Sequence, residues 1–283
     1  MRHQDSILEY RAGFYLKLAL AACLAAVAVF ATHAPATRQA YGASALGYTL
    51  GTIAALLVLW LMALGVRKRR YRSRLGTVQG WTSAHVYLGA SLLVIATLHT
   101  GFEFGWNVHT LSYVLMLLVI ASGALGVYAY LRYPVLMTKN MADETLEALV
   151  LKIADLDRKC RRLALDLPDE VNAIVARGTR SAAREARIGG SLRRQLAGDA
   201  VACPTRAAAA ELVALGGRYK GEQAALHGQL VSAMARKSVL TDRVRRDLRY
   251  RALMHVWLYA HVPLAFALVA ALIAHVVSVF YFR

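Results

Sequence analysis

The sequence predicts an all-α membrane protein with five transmembrane helices. Of its 283 residues, 58% are hydrophobic and the mean hydropathy is +0.41. The apolar residues form long runs that hold almost none of the charges, which excludes a soluble single domain. The small numbers of Pro and Gly, 5 and 20, also exclude a disordered or collagen-like chain.

Five stretches are long enough to cross a hydrocarbon core, which requires roughly 20 helical residues. These stretches are residues 14–33, 44–66, 82–104, 109–131 and 253–281. The predicted organisation is an N-terminal segment with the first span (1–43), three more spans (44–132), an insert (133–252) and the last span (253–283). A cleavable signal peptide is the alternative for the first span, because cations precede its apolar run.

The positive charges predict the orientation of the spans. Residues 67–74 contain six Lys or Arg, the link before the second span contains only Arg38, and the link after the third contains none. By the positive-inside rule, residues 67–74, the N-terminus and the insert are expected to be cytoplasmic in a bacterial inner membrane, with a periplasmic C-terminus. Placement beside membrane spans explains the net charge of +17, so we expect lipid and no nucleic acid as a partner.

The insert is predicted to be a helical hairpin or small bundle. Its apolar residues recur at helical spacing, and it carries 22 basic and 14 acidic residues. The expected helix breaks are Gly178, Gly189, Gly190, Gly198, Pro204, Gly216 and Gly217. The insert lacks glycine-rich nucleotide-binding motifs, and the three separated cysteines give no disulfide, iron–sulfur or covalent haem motif.

Four of the nine histidines fall within two spans, at matched positions. His85 and His99 are 14 residues apart in the third span, and His261 and His275 are 14 residues apart in the fifth. This interval is about 40° short of four helical turns and about 21 Å along the axis, so both members of a pair face nearly the same side. Because the third and fifth spans run in parallel, His85 and His261 share the inner level and His99 and His275 the outer one.

Two facing imidazoles at each of two levels predict two haems b with bis-histidine iron ligation. We expect His85 and His261 to ligate an inner haem, and His99 and His275 an outer haem. The two levels are too far apart for one compact metal site, although the spacing by itself does not distinguish haem from another metal. We expect His109 to be an exposed or capping residue outside these ligand pairs.

Other residues are expected to support the cofactors. Gly51 and Gly65 in the second span are also 14 residues apart, as are Ser112 and Gly126 in the fourth. Such small residues would let porphyrin edges approach the backbone, although they are common in membrane helices in any case. Cations at the inner membrane edge are candidates for binding haem propionates, with topological anchoring as the alternative; they are Arg72, Arg74, Arg132 and Arg251.

Two other function classes remain open. In the first, the histidines are structural and the chain is a signalling or scaffold protein with a cytoplasmic helical domain. In the second, they form part of a metal or proton transporter. Transport relays usually include intramembrane carboxylates, and the only candidate is Glu103, at the outer edge of the third span.

The histidine pattern resembles that of the diheme membrane cytochrome b group. The similarity covers the second to fifth spans, with Trp81 to His85 through His99 on one ligand helix and His261 to Pro263 through His275 on the other. It also resembles ferric-reductase-like and NADPH-oxidase-like membrane domains. Unlike those, this chain has no FAD or NADPH domain, and it lacks the Pro-Glu-Trp-Tyr quinol motif of quinol–cytochrome c complexes.

The resemblance implies a four-helix bundle that holds two haems b and transfers electrons across the membrane. The chain is then expected to be an electron-transfer subunit of an oxidoreductase complex, with no catalytic side chains of its own. Expected partners are other subunits of that complex, quinone or a cytoplasmic donor, and a periplasmic c-type cytochrome.

Overall fold

The computed structural model describes residues 7–33, 44–70, 74–142, 144–185, 195–196 and 203–281, and within these ranges it contains helices and no strand. A 3-10 turn at Gly216–Arg218 precedes the last helix. The main helices are α1 (Tyr10–His33), α2 (Ala45–Arg69), α3 (Val78–Thr100), α4 (Val108–Met141), α5 (Leu146–Leu165), α6 (Asp169–Glu185), α7 (Pro204–Leu215) and α8 (Gly221–Tyr281).

The predicted all-α fold with five spans is confirmed. Five helices, α1 to α4 and α8, are long and apolar enough to cross a membrane, as in a multi-pass membrane protein. The helix α3 ends at Thr100, four residues before the predicted end of the third span. Gly101 explains the difference, because its left-handed backbone (φ 58°) closes the helix.

The chain divides into two compact units, residues 1–127 with 257–283, and residues 128–256. In the first unit, a buried apolar cluster draws on all five spans and includes Leu50, Val58 and Met116. Large apolar side chains such as Leu24 and Phe266 are instead more than 60% exposed. An outer surface of this kind suits contact with lipid.

Local polar contacts fix the turn between α2 and α3, which follows the start of the basic run. Arg67 is buried, and its guanidinium donates to the carbonyl oxygens of Arg70 (3.1 Å) and Gly76 (2.6 Å). The side chain of Thr77 accepts from the Gly80 N–H at the start of α3. Arg67 therefore folds the turn between α2 and α3 in addition to contributing charge.

The second unit packs α5, α6, α7 and residues 221–256 around its own apolar core. Helix α6 runs through Gly178, so the predicted break at that residue is wrong. A Cβ at Gly178 would lie 3.0 Å from the Cβ of Ala208, so this glycine allows α6 and α7 to pack closely. The predicted breaks at Pro204 and at Gly216 and Gly217 are confirmed, and Gly189, Gly190 and Gly198 lie outside the described residues.

A buried ion pair lies within this second core. Lys237 is fully buried, pairs with Asp157 and donates to the carbonyl oxygen of Gly178 (3.3 Å). Nearby, burial raises the pKa of the Cys160 thiol to about 11, although the positive charge of Lys237 acts in the opposite direction. Cys160 is therefore an unreactive core residue at neutral pH.

We predict that Asp157→Asn destabilises the second unit by about 3–5 kcal/mol, because it leaves the buried Lys237 without its counter-charge. Asp155→Asn is the matched control on the same helix, since its pair with Arg158 is exposed and is expected to contribute less than about 1 kcal/mol. Thermal unfolding in detergent, followed by circular dichroism, measures both effects. Equal unfolding temperatures for the two variants would contradict a buried ion pair between Lys237 and Asp157.

Candidate functional site

The structure brings the four intramembrane histidines of α3 and α8 together as two pairs. The ring centroids of His85 and His261 are 6.5 Å apart, and those of His99 and His275 are 6.0 Å apart. The ring planes cross at 67° in the first pair and at 89° in the second. Since each pair joins equivalent ends of the two spans, α3 and the membrane part of α8 run in parallel.

Two buried leucines lie between the two levels. Leu92 is seven residues beyond His85, and Leu268 is seven residues beyond His261, so each lies midway between the histidines of its helix. Both are more than 90% buried and belong to the core of the first unit. An apolar layer therefore separates the inner pair from the outer pair.

Backbone carbonyls of α2 orient the two histidines of α3. The Nδ1 of His85 lies 3.1 Å from the carbonyl oxygen of Leu61, and the Nδ1 of His99 lies 2.8 Å from that of Gly47. A carbonyl oxygen can only accept, so each Nδ1 carries the proton and donates. In a neutral ring the Nε2 of each residue is then free of hydrogen, as metal ligation requires.

Helix α4 orients His261 in a similar way. The Nδ1 of His261 lies 2.7 Å from the hydroxyl of Ser122, which donates its own hydrogen to the carbonyl oxygen of Val119. With that hydrogen on Val119, the Ser122 hydroxyl accepts from Nδ1 of His261, and Nε2 of a neutral His261 is then unprotonated. Trp257 stacks on the His261 ring with a centroid separation of 5.3 Å and donates its indole N–H to the Ser122 carbonyl oxygen.

His275 contacts a third histidine. Its Nδ1 lies 2.5 Å from the Nδ1 of His109, an exposed residue in the first turn of α4, and the ring centroids are 4.5 Å apart. His109 was expected to be an exposed or capping residue outside the ligand pairs. His109 is exposed, but its ring is hydrogen-bonded to His275, one of the paired histidines.

A cavity of about 190 Å³ adjoins the inner pair, between α2, α3, α4 and α8. Apart from His85 and His261, its walls are apolar, and they include two flexible methionines, Met62 and Met116. Many of its residues are small; among them are Gly89, Ala90, Gly123, Ala124 and Ala265. Small side chains near facing imidazoles make room for a flat apolar group.

The glycines selected from sequence spacing have different surroundings. Gly51 underlies the His99 ring, since a Cβ there would lie 2.6 Å from Cε1. Gly126 makes room for Trp257, with a Cβ 2.1 Å from the indole. Gly65 is exposed and a Cβ there would meet no atom within 4 Å. Gly123, in contrast, is close to the His261 ring, at 3.7 Å.

The structure describes three of the four predicted cations. Arg74 is exposed in the turn between α2 and α3, and Arg132 is exposed in the second unit. Arg251, also in the second unit, pairs with Asp247. Arg72 lies outside the described residues.

The arrangement gives two facing imidazoles at each level, with His109 beside the outer pair. No group of three or more His, Cys, Asp or Glu able to hold a metal ion occurs within the described part of the chain. A bare zinc ion normally takes three or four protein ligands. Two opposed imidazoles instead suit a metal that carries its other ligands with it, as iron does in a porphyrin.

Sequence reasoning missed several of the supporting residues. Gly89 and Ala265 each follow an inner histidine by four residues, so the helical period could have identified them. Ser122 and Trp257 gave no such signal, because their roles depend on contacts between helices. The carbonyl groups of Gly47 and Leu61 gave none either, since every residue has a carbonyl.

Comparisons with known proteins do not identify the chain: no family model, curated protein or solved structure matches it. The resemblance to diheme cytochromes b therefore remains a prediction based on the histidine pattern.

We predict that Gly51→Ala lowers the thermal stability of the first unit. The new methyl group displaces the His99 ring and breaks its bond to Gly47, which outweighs the gain in helix propensity of about 1 kcal/mol. Gly65→Ala is the matched control on α2, where the methyl group meets no atom and stability is expected to be unchanged or higher. Unfolding in detergent tests this, and an equally stable Gly51→Ala variant would refute it.

Proposed function

We propose that this chain is a cytochrome b subunit of a membrane redox complex, which conducts electrons across a bacterial inner membrane through two haems b. The supporting observation is the double pairing of imidazoles, with His85 and His261 for the inner haem and His99 and His275 for the outer one. His85 and His99 donate from Nδ1 to carbonyl oxygens and so keep Nε2 for iron, and the Ser122 hydroxyl offers His261 an acceptor for the same arrangement.

The ring separations support iron ligation. Each metal–nitrogen bond is about 2 Å long and each ring adds about 1 Å, so two axial imidazoles place their centroids roughly 6 Å apart. The observed separations of 6.5 and 6.0 Å agree with this value. The directly hydrogen-bonded rings of His109 and His275 lie closer together, with a centroid separation of 4.5 Å.

The inner cavity supports an apolar, planar ligand. Its walls include Gly89, Ala90 and Gly123, with little polar surface besides the two imidazoles. At about 190 Å³ it is smaller than typical cofactor sites, which span about 300–1,000 Å³. Met62 and Met116 must therefore move to admit a porphyrin, and unbranched methionine side chains do so readily.

The residues of the chain would hold the cofactors and exclude water. When bound, haem would supply a one-electron iron couple. The paired imidazoles would hold the iron, and their Nδ1 partners fix the ring orientations. Leu92 and Leu268 keep the region between the two levels apolar and dry. We therefore expect an electron-transfer subunit and not a self-contained enzyme.

The charge distribution supports an orientation for this transfer. With the basic segment 67–74 in the cytoplasm, His85 and His261 lie at the inner level and the C-terminus is periplasmic. Arg72, Arg74 and Arg132 remain candidates for binding inner propionates. Quinone or a cytoplasmic donor, and a periplasmic c-type cytochrome, are the proposed redox partners.

The rival functions make distinct predictions. A scaffold with structural histidines is colourless and tolerates His→Gln at all four positions. A transporter moves metal ions or protons in proteoliposomes and shows no haem spectrum. Glu103, the only carboxylate considered for such a relay, is exposed beyond the end of α3, which favours electron transfer over transport.

Haem content is the direct test of the proposal. We expect purified protein to show a reduced-minus-oxidised b-type spectrum and two haems per chain by pyridine haemochrome. His85→Ala and His261→Ala should each remove the same haem, identified by its midpoint potential, whereas His85→Ala with His99→Ala should remove both. His255→Ala is the control, an exposed histidine on the same helix that should retain two haems.

Either of two results would reject this proposal. The first is wild-type protein without b-type haem. The second is full haem content in the His85→Ala/His99→Ala double variant.

We further predict that Gly89→Leu removes the inner haem and retains the outer one. A Cβ at Gly89 has only an ordinary contact, 3.9 Å from Leu61, so the helix packing tolerates it while the larger side chain fills the cavity. Gly65→Leu is the matched control, because Gly65 is a membrane-helix glycine outside the cavity wall. Loss of haem from Gly65→Leu but not from Gly89→Leu would contradict this prediction. It would favour Gly65, the glycine predicted from sequence spacing, as the one beside the haem.

A further inference from the structure

The outer level differs from the inner one in a single hydrogen-bond partner. His85, His99 and His261 donate from Nδ1 to a carbonyl or to a hydroxyl whose own hydrogen is already used. His275 instead faces the Nδ1 of His109 at 2.5 Å. An imidazole nitrogen can either donate or accept, so this contact leaves the tautomer of His275 to be set by His109.

Only one of the two proton placements allows His275 to bind iron. If Nδ1 of His275 carries the hydrogen, its Nε2 is free and His109 accepts. If Nδ1 of His109 carries it, a neutral His275 holds its hydrogen on Nε2 and cannot ligate. For His275 to ligate iron, a neutral His109 has to act as the acceptor, with its own hydrogen on Nε2.

The start of α4 holds His109 in place for this contact. The side chain of Asn107 accepts from the Thr110 N–H at 2.9 Å, and the Thr110 hydroxyl accepts from the Gly105 N–H at 3.1 Å. These bonds fix the backbone on both sides of His109. The His109 ring lies at 90° to that of His275, in an edge-to-face arrangement.

We propose that His109 is a positioning residue for the outer haem: it accepts a hydrogen bond from His275 and so selects the ligating tautomer and increases electron donation to iron. This inference rests on the proposed function. A strong acceptor behind an axial imidazole raises its basicity and favours the ferric state. His109 therefore lowers the reduction potential of the outer haem.

Two substitutions of similar size separate hydrogen bonding from packing. In His109→Asn the amide Oδ1 occupies nearly the position of Nδ1 and still accepts, whereas His109→Leu removes the acceptor. Both are made in the His85→Ala background, where only the outer haem should remain. His33→Leu, at an exposed histidine at the end of α1, controls for loss of a histidine near the outer surface.

We would measure the midpoint potential by redox titration, the low-spin ferric electron paramagnetic resonance spectrum, and the retention of haem. We expect His109→Leu to raise the midpoint potential, alter the spectrum and weaken haem binding by roughly 10- to 100-fold, a typical effect of losing such a partner. His109→Asn should restore all three toward those of the parent, and His33→Leu should change none of them. In the two-haem protein, Ser122→Ala should instead shift the midpoint potential of the inner haem.

The outcomes separate this inference from the proposed function. Wild-type protein without haem overturns both. Two haems in the wild type, together with parental potential and spectrum in His109→Leu, overturn only the role of His109. Equal shifts in His109→Leu and His109→Asn also overturn it, because the acceptor would then make no difference.

Discussion

An imidazole inside a membrane span has two ring nitrogens, and the hydrocarbon around it offers a hydrogen-bond partner for neither. An unsatisfied polar group at that depth costs several kcal/mol. In the structure, Nδ1 of every paired histidine has a hydrogen-bond partner. The partners are Leu61, Gly47, Ser122 and His109. Nε2 is the remaining nitrogen of each ring, and the ring centroids of the two pairs are 6.5 and 6.0 Å apart. In the proposed function, haem iron would be the partner of Nε2 at both levels.

Helices α2 and α4 are therefore as important to the site as α3 and α8, which carry the paired histidines. Helix α2 presents carbonyl groups to both histidines of α3, and α4 presents side chains to both histidines of α8. Gly51 and Gly126 serve this arrangement by making room for the His99 ring and for Trp257. The second unit has a separate core with its own buried ion pair, between Lys237 and Asp157. The histidine site lies wholly in the first unit.

Periodicity accounts for what could be predicted from the sequence. Runs of apolar residues identify the spans, and an interval of 14 residues places two side chains on one helix face, as with His85 and His99. The end of α3 was misplaced because one left-handed glycine, Gly101, stops the helix inside an apolar segment. Gly178 was misread because glycine at a close helix contact looks the same in sequence as glycine at a break. The tautomer of each histidine depends on contacts between helices, and these follow no period.

The most direct measurement of the central claim is a cryo-electron microscopy structure of the protein in lipid nanodiscs. The account predicts planar density between His85 and His261 and between His99 and His275, each with a metal peak about 2 Å from both Nε2 atoms. Side chains packed into those spaces, or paired rings hydrogen-bonded directly to each other, would contradict it.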